Sequence, residues 1–315
     1  MDAAELDALA ALLVEAPAPL TRAEIAEDLG LQAHQITSCL AALMELGAPV
    51  HEDETGLRLE LSDALDVTTI DTGLADLNPP PAVEVHCICE STNVLAGRGQ
   101  GSSLCLAETQ TAGRGRRGHA WVQPFASGLA LSYGLPLRVA RVDGLAIAAA
   151  VAVVEALAAC GFPGIGLKWP NDVYACGAKL GGVMVEAAGG REPRLVVGVG
   201  LNVHVAPALD GRTTVALAAL APLPSRNVLA IEIVRTLVFA LLEFERAGFE
   251  PFAHKFAQLD VLAGCRVQLV NGDDTVTGVA RGIGSLGEIV VETPAGLSLY
   301  TAGEVSLGNA GSFTS

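Results

Sequence analysis

The chain has 315 residues, of which 51% are hydrophobic, and a formal net charge of −16. This length and apolar content are typical of two or three domains with a sizeable buried core. The acidic start, Met-Asp-Ala-Ala-Glu, argues against a signal peptide. The longest apolar run, residues 145–160, contains Glu155 and is too short to span a bilayer. We therefore expect a cytoplasmic protein with no membrane segment.

Seven cysteines are scattered along the chain, and their number is odd. Cys87 and Cys89 are too close in sequence for a usual zinc pair, and no second pair follows them. We predict that the cysteines are buried or half-buried free thiols in a reducing compartment. The sequence predicts no metal site built from a cluster of side chains.

The first fifty residues have the periodicity of short helices. Thr21 and Glu24 form a predicted capping box at the start of one helix, and a glycine turn leads into the next, residues 33–47. Two short helices joined by a tight glycine turn are typical of a helix-turn-helix, and an ordinary helical bundle without a DNA role is the alternative. Residues 50–61 could add a small hairpin, which would be the wing of a winged helix.

The charge of this segment conflicts with DNA binding. Residues 1–77 contain sixteen acidic and two basic residues, a formal charge of −14, whereas DNA-binding proteins neutralise phosphates with Lys and Arg. The predicted recognition helix contains neither. If it entered a groove, five polar side chains could touch base edges: Gln32, His34, Gln35, Thr37 and Ser38.

Three consecutive prolines, residues 79–81, end whatever precedes them and predict a domain boundary. A strand is predicted over residues 83–89, and Ser91, Thr92 and Asn93 come after it. Ser91 or Thr92 could cap a helix, or these three short polar side chains could face a ligand. On the residues alone, helix capping is the favoured interpretation.

A loop rich in glycine and arginine follows a predicted strand over residues 103–108. It has the sequence Gly113-Arg-Gly-Arg-Arg-Gly118, and Trp121 comes shortly after. Glycines let backbone amides approach a ligand, arginines offer bidentate donors to phosphate or carboxylate, and a tryptophan ring can stack on a base. The loop predicts a clamp for an anionic, partly aromatic ligand, and a solvated hairpin is the alternative. A dinucleotide fingerprint would need a helix next, which Pro124 and a predicted strand at 129–135 oppose.

The centre of the chain predicts a buried alanine-rich helix, with Asp143 near its cap, followed by strands. An apolar strand ends at Lys168, and a strand-turn-strand motif after it should bring four polar residues together: Lys168, Asn171, Asp172 and Lys179. A further strand over residues 195–204 carries Asn202 near its end, and Asn227 should cap a long helix. Four glycines in these strands either leave room for a ligand or allow a bulged or tightly packed sheet: Gly181, Gly182, Gly198 and Gly200.

From about residue 259 the pattern changes to short strands separated by the turns Asn271-Gly and Pro294-Ala-Gly. The strands are predicted over residues 265–270, 275–282, 288–292 and 297–300. Together they suggest a small barrel of about 55 residues.

Six motifs in a fixed order make the chain resemble biotin protein ligases of the bifunctional biotin-operon-repressor type, over essentially its whole length. They are Glu90-Ser-Thr-Asn93, Gly113-Arg-Gly-Arg-Arg-Gly118 with Trp121, Lys168-Trp-Pro-Asn-Asp172, Lys179-Leu-Gly-Gly182, Gly198-x-Gly-x-Asn202 and Arg281-Gly-Ile283. The resemblance implies an α+β fold in three domains. These are a winged helix-turn-helix (1–77), a mixed-sheet catalytic domain related to class II tRNA synthetases (78–258) and an SH3-like β-barrel (259–315).

The resemblance also implies residue roles, with Arg116 and Lys179 as the catalytic residues. At position 119 this chain has His, where the family often carries Arg or Lys. The positions implied to hold biotin or its adenylate are Ser91, Thr92, Asn93, Gln110, Gly113, Arg114, Gly115, Arg116 and Lys179. The positions implied to lie near ATP are Arg116, Arg117, Trp121, Lys168, Asn171, Asp172 and Asn202.

The implied reaction joins biotin to ATP, with Mg²⁺ bound to the ATP, and releases pyrophosphate. A lysine of the biotin carboxyl carrier protein of acetyl-CoA carboxylase then displaces AMP from the adenylate. Because the first two reactants are both anionic, arginines, lysines and Mg²⁺ would have to neutralise their repulsion. Lipoate-protein ligation and a biotin-sensing repressor acting on operator DNA are the alternative functions. The expected state is a monomer or a ligand-dependent homodimer.

Overall fold

The computed structural model describes residues 3–137, 142–188, 193–208, 211 and 213–307. The chain divides into two compact units, the first comprising Met1–Leu137 with Met184–Glu232 and the second Arg138–Val183 with Ile233–Ser315. Among the described residues, no helix combines the length and apolar content needed to cross a bilayer. The three-domain division at residues 77 and 258 stays a prediction, since the two units follow other boundaries.

The described elements alternate between helices and strands, with strands dominating after residue 260. In chain order they are α1 (Ala3–Glu15), α2 (Arg22–Leu29), α3 (Ala33–Glu45), β1 (Val50–Asp53), β2 (Gly56–Leu59), α4 (Val67–Leu74), β3 (Ala82–Cys89), α5 (Thr92–Arg98), β4 (Ser103–Gln110), β5 (Gly128–Pro136), α6 (Leu145–Ala159), β6 (Gly166–Lys168), β7 (Asp172–Ala175), β8 (Ala178–Ala188), β9 (Arg194–Asn202), α7 (Arg226–Ala247), α8 (Glu250–Leu259), β10 (Arg266–Asn271), β11 (Asp274–Ile283), β12 (Ile289–Thr293), β13 (Gly296–Tyr300) and β14 (Glu304–Leu307).

The first unit begins with three helices and a hairpin, as the sequence predicts. The capping box is present, because the Thr21 hydroxyl accepts from the Glu24 amide and the Glu24 carboxylate accepts from the Thr21 amide. Gly30 ends α2 in the left-handed region, at φ 66°. Strands β1 and β2 pair antiparallel, and Leu57 of β2 joins the helices in one apolar core.

The rest of the first unit is built around a mixed sheet. Strands β3 and β4 are parallel, whereas β4 with β5 and β5 with β9 are antiparallel. Helix α5 packs on β4, β5 and β9. The sheet therefore holds the start of α5, which follows β3, and the glycine-arginine loop, which follows β4.

The second unit contains the buried alanine-rich helix α6, the strands β6 and β7, and a separate antiparallel sheet. That sheet has the strand order β13-β12-β11-β10-β14. Its first four strands match the predicted ones to within a few residues, and β14 was not predicted. The fold class, a mixed α+β protein with a C-terminal β domain, is thus confirmed.

One predicted helix cap was right and one was wrong. Gly144, at φ 77°, occupies the N-cap position of α6, and Asp143 directly precedes it, near the cap as predicted. Asn227 lies inside α7, where its amide donates to the Ala64 carbonyl and accepts from the Asp66 amide. The hydroxyl of Ser225 accepts from the Val228 amide at the start of that helix instead.

Helices α4 and α8 were not predicted. The first turn of α4 consists of β-branched residues, Val67-Thr-Thr, which are weak helix formers. Asp66 starts this helix by accepting a hydrogen bond from the Thr69 amide at 2.7 Å. Tertiary context, not local propensity, therefore decides this segment.

Candidate functional site

The parallel strands β3 and β4 end side by side, with Cys89 opposite Gln110. Two hydrogen bonds continue the pairing beyond the strands: the Thr111 amide donates to the Cys89 carbonyl and the Ala112 amide to the Glu90 carbonyl, both at 2.9 Å. The carboxyl ends of neighbouring parallel strands meet at one edge of a sheet. The start of α5 and the start of the glycine-arginine loop are therefore adjacent.

A hydrogen-bonded group at this edge, which we call the strand-end cluster, contains Thr92, Asn93, Gln110, Ser132 and Glu186. The Gln110 side-chain oxygen accepts from the Thr92 amide (2.9 Å) and from the Thr92 hydroxyl (3.2 Å). Ser132 Oγ lies 2.7 Å from Thr92 Oγ1 and 2.5 Å from Asn93 Oδ1. Asn93 Nδ2 donates to Glu186 Oε2 at 2.6 Å. Each side chain is thus fixed by its neighbours, which is the preorganisation that a polar binding site needs.

Ser91 sits at the N-cap position of α5, and its side chain makes no capping hydrogen bond. Thr92 and Asn93 belong to the first turn of the helix and are buried, with exposed fractions of 3% and 9%. The predicted cap position is therefore right for Ser91, but neither Ser91 nor Thr92 caps the helix with its side chain. The hydroxyl and amide groups of Thr92 and Asn93 are used in the strand-end cluster.

Gly198 and Gly200 of β9 make room for protein side chains. A Cβ atom at Gly198 would collide with the side-chain amide of Asn93, and one at Gly200 would lie 2.6 Å from Cε2 of Trp121. The tight-packing interpretation of these two glycines is thus confirmed. Gly182 is different, because a Cβ there would have its nearest neighbour, Asp172 Oδ1, at 3.5 Å.

The glycine-arginine loop forms a short hairpin. The Trp121 amide donates to the Gly113 carbonyl (2.9 Å), and the Gly115 amide donates to the His119 carbonyl (2.7 Å). One 3-10 turn, Arg116–Gly118, closes it, with Arg117 in the left-handed region at φ 56°. A Cβ at Gly113 would lie 2.5 Å from the Trp121 carbonyl oxygen, so the close approach of the two arms requires glycine there.

Trp121 leaves this hairpin with its ring over the backbone of Gly200. The indole Nε1 is shielded from solvent and has no hydrogen-bond partner. A buried donor without a partner is uncommon in folded proteins and calls for an explanation such as an absent ligand. Trp121 can therefore offer both a flat face and a hydrogen-bond donor.

The return of the loop to the sheet is fixed by residues that the sequence analysis missed. The Thr109 hydroxyl donates to the Gln123 carbonyl (2.7 Å), and the Gln123 amide donates to the Glu108 carbonyl (3.0 Å). The Glu108 carboxylate forms a fully buried ion pair with Arg226 at 2.6 Å and accepts from the Leu65 amide at 2.8 Å. Glu108 lies five residues before the loop motif in sequence, a signal that could have drawn attention to it.

In the second unit, β6, β7 and the first residues of β8 form a group that we call the lysine hairpin, residues 166–183. Lys168 pairs with Asp172 across β6 and β7, and Lys179 Nζ lies 2.5 Å from Asp172 Oδ1. Lys168 Nζ lies 3.4 Å from the Tyr174 hydroxyl. The Asn171 amide donates to the Val183 carbonyl at 2.6 Å, so Asn171 fixes the backbone. The predicted grouping of the four polar residues is present.

Trp169, inside the same motif, is buried and donates from its indole nitrogen to the Gly287 carbonyl at 2.8 Å. Gly287 lies in the turn between β11 and β12, at φ 83°. Within the second unit, the C-terminal sheet thus contacts the segment that carries Lys168 and Asp172. No local pattern in the sequence predicts this contact.

Comparisons with known proteins identify the family. Residues 90–202 match the model of the Biotin/lipoate A/B protein ligase family, and residues 264–308 match the Biotin protein ligase C terminal domain. The chain is 30% identical over 298 residues to the bifunctional ligase/repressor BirA of Escherichia coli, covering 91% of this chain and 92% of that protein. The chain belongs to the biotin protein ligase family.

Other relatives agree. The biotin–[acetyl-CoA-carboxylase] ligase of Mycobacterium tuberculosis is 34% identical over 229 residues, which cover 68% of this chain and 85% of that one. The solved biotin protein ligase from Aquifex aeolicus in complex with biotin and ATP has a TM-score of 0.63 and 26% identity, covering 72% of this chain and 98% of that chain.

In this member of the biotin protein ligase family, the predicted site residues fall into two sets. Those in the second unit are in the lysine hairpin: Lys168, Asn171, Asp172 and Lys179. Those in the first unit lie at the ends of β4 and β9 or in the segments after β3 and β4: Ser91, Thr92, Asn93, Gln110, Gly113, Arg114, Gly115, Arg116, Arg117, Trp121 and Asn202. Asn202 is buried, and its amide donates to the Val215 carbonyl at 3.1 Å.

The polar residues predicted to read DNA are engaged mostly within the N-terminal module. The hydroxyls of Thr37 and Ser38 donate to carbonyls one turn earlier in α3. Gln35 accepts from the Gln32 amide and donates to Glu5. His34 is exposed.

All seven cysteines, each within the described residues, are thiols outside any disulfide, as predicted. Cys176 is exposed, so its predicted burial was wrong: it lies in the tight turn between β7 and β8, at φ 52°. Burial raises the pKa of Cys87 and of Cys89 to about 12, with a further increase from the carboxylate of Asp7.

Proposed function

We propose that this protein activates biotin with ATP to form biotinyl-5′-AMP and then transfers biotin to a lysine of a biotin carboxyl carrier protein. Membership in the biotin protein ligase family supports the activity. The observation that carries the assignment to this chain is the preorganised strand-end cluster beside a glycine-arginine hairpin, both at the carboxyl edge of β3 and β4. Polar side chains at the sheet edge can hydrogen-bond the neutral ureido ring of biotin. The arginines of the loop can pair with the anionic groups that are joined to it.

In the first step the biotin carboxylate attacks the α-phosphorus of ATP. A carboxylate–phosphorus bond forms and the bond to pyrophosphate breaks. Both partners are anionic, so the barrier falls when fixed positive groups face the developing charge. We propose that Arg116 and Lys179 supply this charge, that Arg117 and Lys168 attract the phosphates of ATP, and that Arg114 helps to hold biotin or its adenylate.

The lysine hairpin suits an anionic ligand, because Asp172 holds Lys179 in a defined position. A phosphate oxygen that replaced the Asp172 carboxylate would accept the same donor without a change in the lysine rotamer. Trp121 would stack on the adenine ring, and Asn171 and Asn202 would keep the backbone around the nucleotide in place. The strand-end cluster, with Ser91, would hold biotin.

Magnesium enters this scheme with ATP. Within the described residues, the one group of three metal-binding side chains close enough to share an ion lies at the other end of β3, not among the motif residues. The motif carboxylate of Asp172 is paired with a lysine. The motif residues therefore fit a Mg²⁺ ion that is held mainly by phosphate oxygens and water. Asp172 is the motif residue whose carboxylate could serve as a ligand from the protein.

In the second step the amine of the carrier lysine attacks the acyl carbon of the adenylate. A carbon–nitrogen bond forms, AMP leaves, and the amine proton is released. Until then the adenylate must be protected from water. We propose that the hairpin at residues 113–121 covers the adenylate, and that Gly113 and Gly115 let its backbone approach closely.

Exchange of labelled pyrophosphate into ATP tests this assignment, with biotin or lipoate as the only acid. Biotin should support exchange and lipoate should not, and mass spectrometry should then show one biotin on a carrier domain. Lipoate is the substrate of a related class of ligases. Exchange that is supported by lipoate and not by biotin would therefore overturn the proposal. The match of residues 264–308 to the biotin protein ligase C-terminal model favours biotin.

We also propose that the N-terminal module is a winged helix that supports the fold without binding an operator tightly, and that the C-terminal sheet is an SH3-like barrel. The module carries a formal charge of −14 over residues 1–77. Its two arginines are already paired with its own carboxylates: Arg22 with Glu52 at 2.9 Å and Arg58 with Glu60 at 3.1 Å. DNA binding needs such groups for phosphates.

Titration of the adenylate-bound protein against its own biotin-synthesis promoter, at about 0.15 M salt, tests this point. Weak binding, equal to that of scrambled DNA, is expected. Nanomolar sequence-specific binding that is lost on removal of residues 1–77 would establish the repressor function instead. The oligomeric state, monomer or ligand-dependent homodimer, stays a prediction from the resemblance.

A further inference from the structure

Three metal-binding side chains meet on the first-unit sheet, near the start of β3 and β4 and away from the motif residues. Glu84 and His86 are two residues apart on β3 and so point to the same face. Glu84 lies opposite Cys105 in the parallel register of β3 and β4. One ligand atom from each of the three residues lies within 4.8 Å of the other two.

His86 is held in a way that suits a metal ligand. Its Nδ1 lies 3.1 Å from Asp7 Oδ2, while Asp7 Oδ1 accepts from the Ile88 amide at 2.8 Å, which fixes the carboxylate. The other ring nitrogen, Nε2, is shielded from solvent and has no hydrogen-bond partner. The Glu84 carboxylate is 3.7 Å from Nε2, beyond hydrogen-bond distance. Metal-bound histidines commonly have a carboxylate on one ring nitrogen and the ion on the other.

We propose that Glu84, His86 and Cys105 bind one divalent transition-metal ion, with Zn²⁺ as the preferred ion and Asp7 as the residue that orients His86. Thiolate, imidazole and carboxylate together form the donor set that zinc accepts in a tetrahedral site. Three protein ligands leave the fourth position to water. This proposal differs from the prediction, made from the cysteine spacing, that no cluster of side chains binds a metal.

Binding requires only a small rearrangement. Metal–ligand bonds of about 2.0–2.3 Å place tetrahedral ligand atoms roughly 3.3–3.8 Å apart. The Glu84 side chain is 65% exposed and can move by the required distance, whereas His86 and Cys105 are held by their surroundings. The Cys105 thiol gives its proton to solvent as the sulfur–metal bond forms.

The ion would join β3 to β4 directly and α1 to both through Asp7. These strands carry Ser91 and Gln110 at their other ends, so the expected effect is on stability more than on chemistry. The competing arrangement is a protonated His86 between the carboxylates of Asp7 and Glu84, with no metal. In that case the cluster would be an ion-pair network, and added metal would change nothing.

The test uses the full-length protein, stripped of metal and titrated with Zn²⁺ by calorimetry and with Co²⁺ by absorption spectroscopy. We expect one ion per chain, a thiolate-to-cobalt charge-transfer band and a higher unfolding temperature with Zn²⁺. Cys105→Ala should remove the band, and His86→Ala should abolish binding. Asp7→Asn should weaken binding by about 10- to 100-fold, as is usual for partners of metal-bound histidines.

Matched controls are Cys176→Ser and His51→Ala, an exposed thiol and an exposed imidazole, which should leave binding unchanged. Glu84→Gln, at an exposed position, should weaken Zn²⁺ binding even if the buried variants misfold, because it removes the charge of one of the three proposed ligands. Absence of Zn²⁺ binding by the parent protein would overturn the proposal. So would binding with the same affinity in Glu84→Gln and Cys105→Ala.

Discussion

Replacement of Gly198 by alanine should disrupt the strand-end cluster from a position that we do not propose to bind substrate itself. Gly198 is in the middle of β9, opposite Ser132 on β5. Its added methyl group would occupy the space of the Asn93 side-chain amide. Because Asn93 is 9% exposed, the amide has no free volume to move into.

The cost follows from the hydrogen bonds that Asn93 would lose. Its bond with Ser132 (2.5 Å) contributes about 1 kcal/mol, and its bond to the charged Glu186 (2.6 Å) about 1.5–3 kcal/mol. Alanine regains roughly 0.5–1 kcal/mol over glycine in a strand. We therefore expect a loss of about 1.5–3.5 kcal/mol, which corresponds to biotin binding roughly 10- to 400-fold weaker if Asn93 must be in place.

Calorimetric titration with biotin and urea unfolding measure the two effects. Gly182→Ala is the matched control, because its methyl group meets nothing closer than 3.5 Å and should change stability little. A double-mutant cycle with Asn93→Ala sharpens the test: once the amide is gone, Gly198→Ala should cost much less. Biotin affinity within about threefold of the parent, or strict additivity in the cycle, would refute the argument.

Four further predictions address the remaining parts of the site. Lys179→Ala and Arg116→Ala should each slow single-turnover adenylate formation by roughly 10²–10³ with unchanged circular dichroism, and near-normal rates would remove them from catalysis. Gly115→Ser should let the adenylate escape, which is measured as biotinylation of bystander lysines, since a Cβ there lies 3.2 Å from a carbonyl oxygen. Trp169→Phe leaves the buried carbonyl of the β11–β12 turn unpaired, which should displace the lysine hairpin and raise KM for ATP about tenfold. An unchanged KM would show that this contact does not position the lysine hairpin. Iodoacetamide at pH 8 should modify Cys176 first, as peptide mapping can verify, because its thiol is exposed whereas burial raises the pKa of Cys87, Cys89 and Cys105.

The sequence predicted the elements that have strong local signals. The capping box at Thr21, the apolar helix α6 and the alternating C-terminal strands were placed to within a few residues. The grouping of Lys168, Asp172 and Lys179 also followed from local geometry, because a short strand-turn-strand fixes which residues lie opposite one another. Such features depend on interactions between residues near in sequence.

What the sequence did not predict depends on contacts between distant residues. Arg226 is fully buried and reaches the Glu108 carboxylate and the Asp63 carbonyl, 118 and 163 residues away. Glu186 completes the strand-end cluster from β8 and lies in no motif. The glycines of β9 could not be interpreted from the sequence for the same reason, since the need for glycine depends on which distant side chains pack against them. Local propensity carries no information about such partners.

The position of the N-terminal module explains how it can be retained without a DNA role. Ile88 of β3 and Phe125, just beyond the glycine-arginine loop, are buried in the same core as α1, α2 and α3. The Phe125 amide donates to the Leu46 carbonyl at 2.9 Å, and Asp7 accepts from the Ile88 amide at 2.8 Å. The contact at Ile88 fixes the strand that leads to the proposed biotin site, and the contact at Phe125 fixes the segment that follows the glycine-arginine loop. Loss of the module would expose Ile88 and Phe125, at about 1.5–3 kcal/mol for each side chain. Retention of the helices is therefore explained by support of the ligase site, and an acidic surface on their outer face does not interfere with that support.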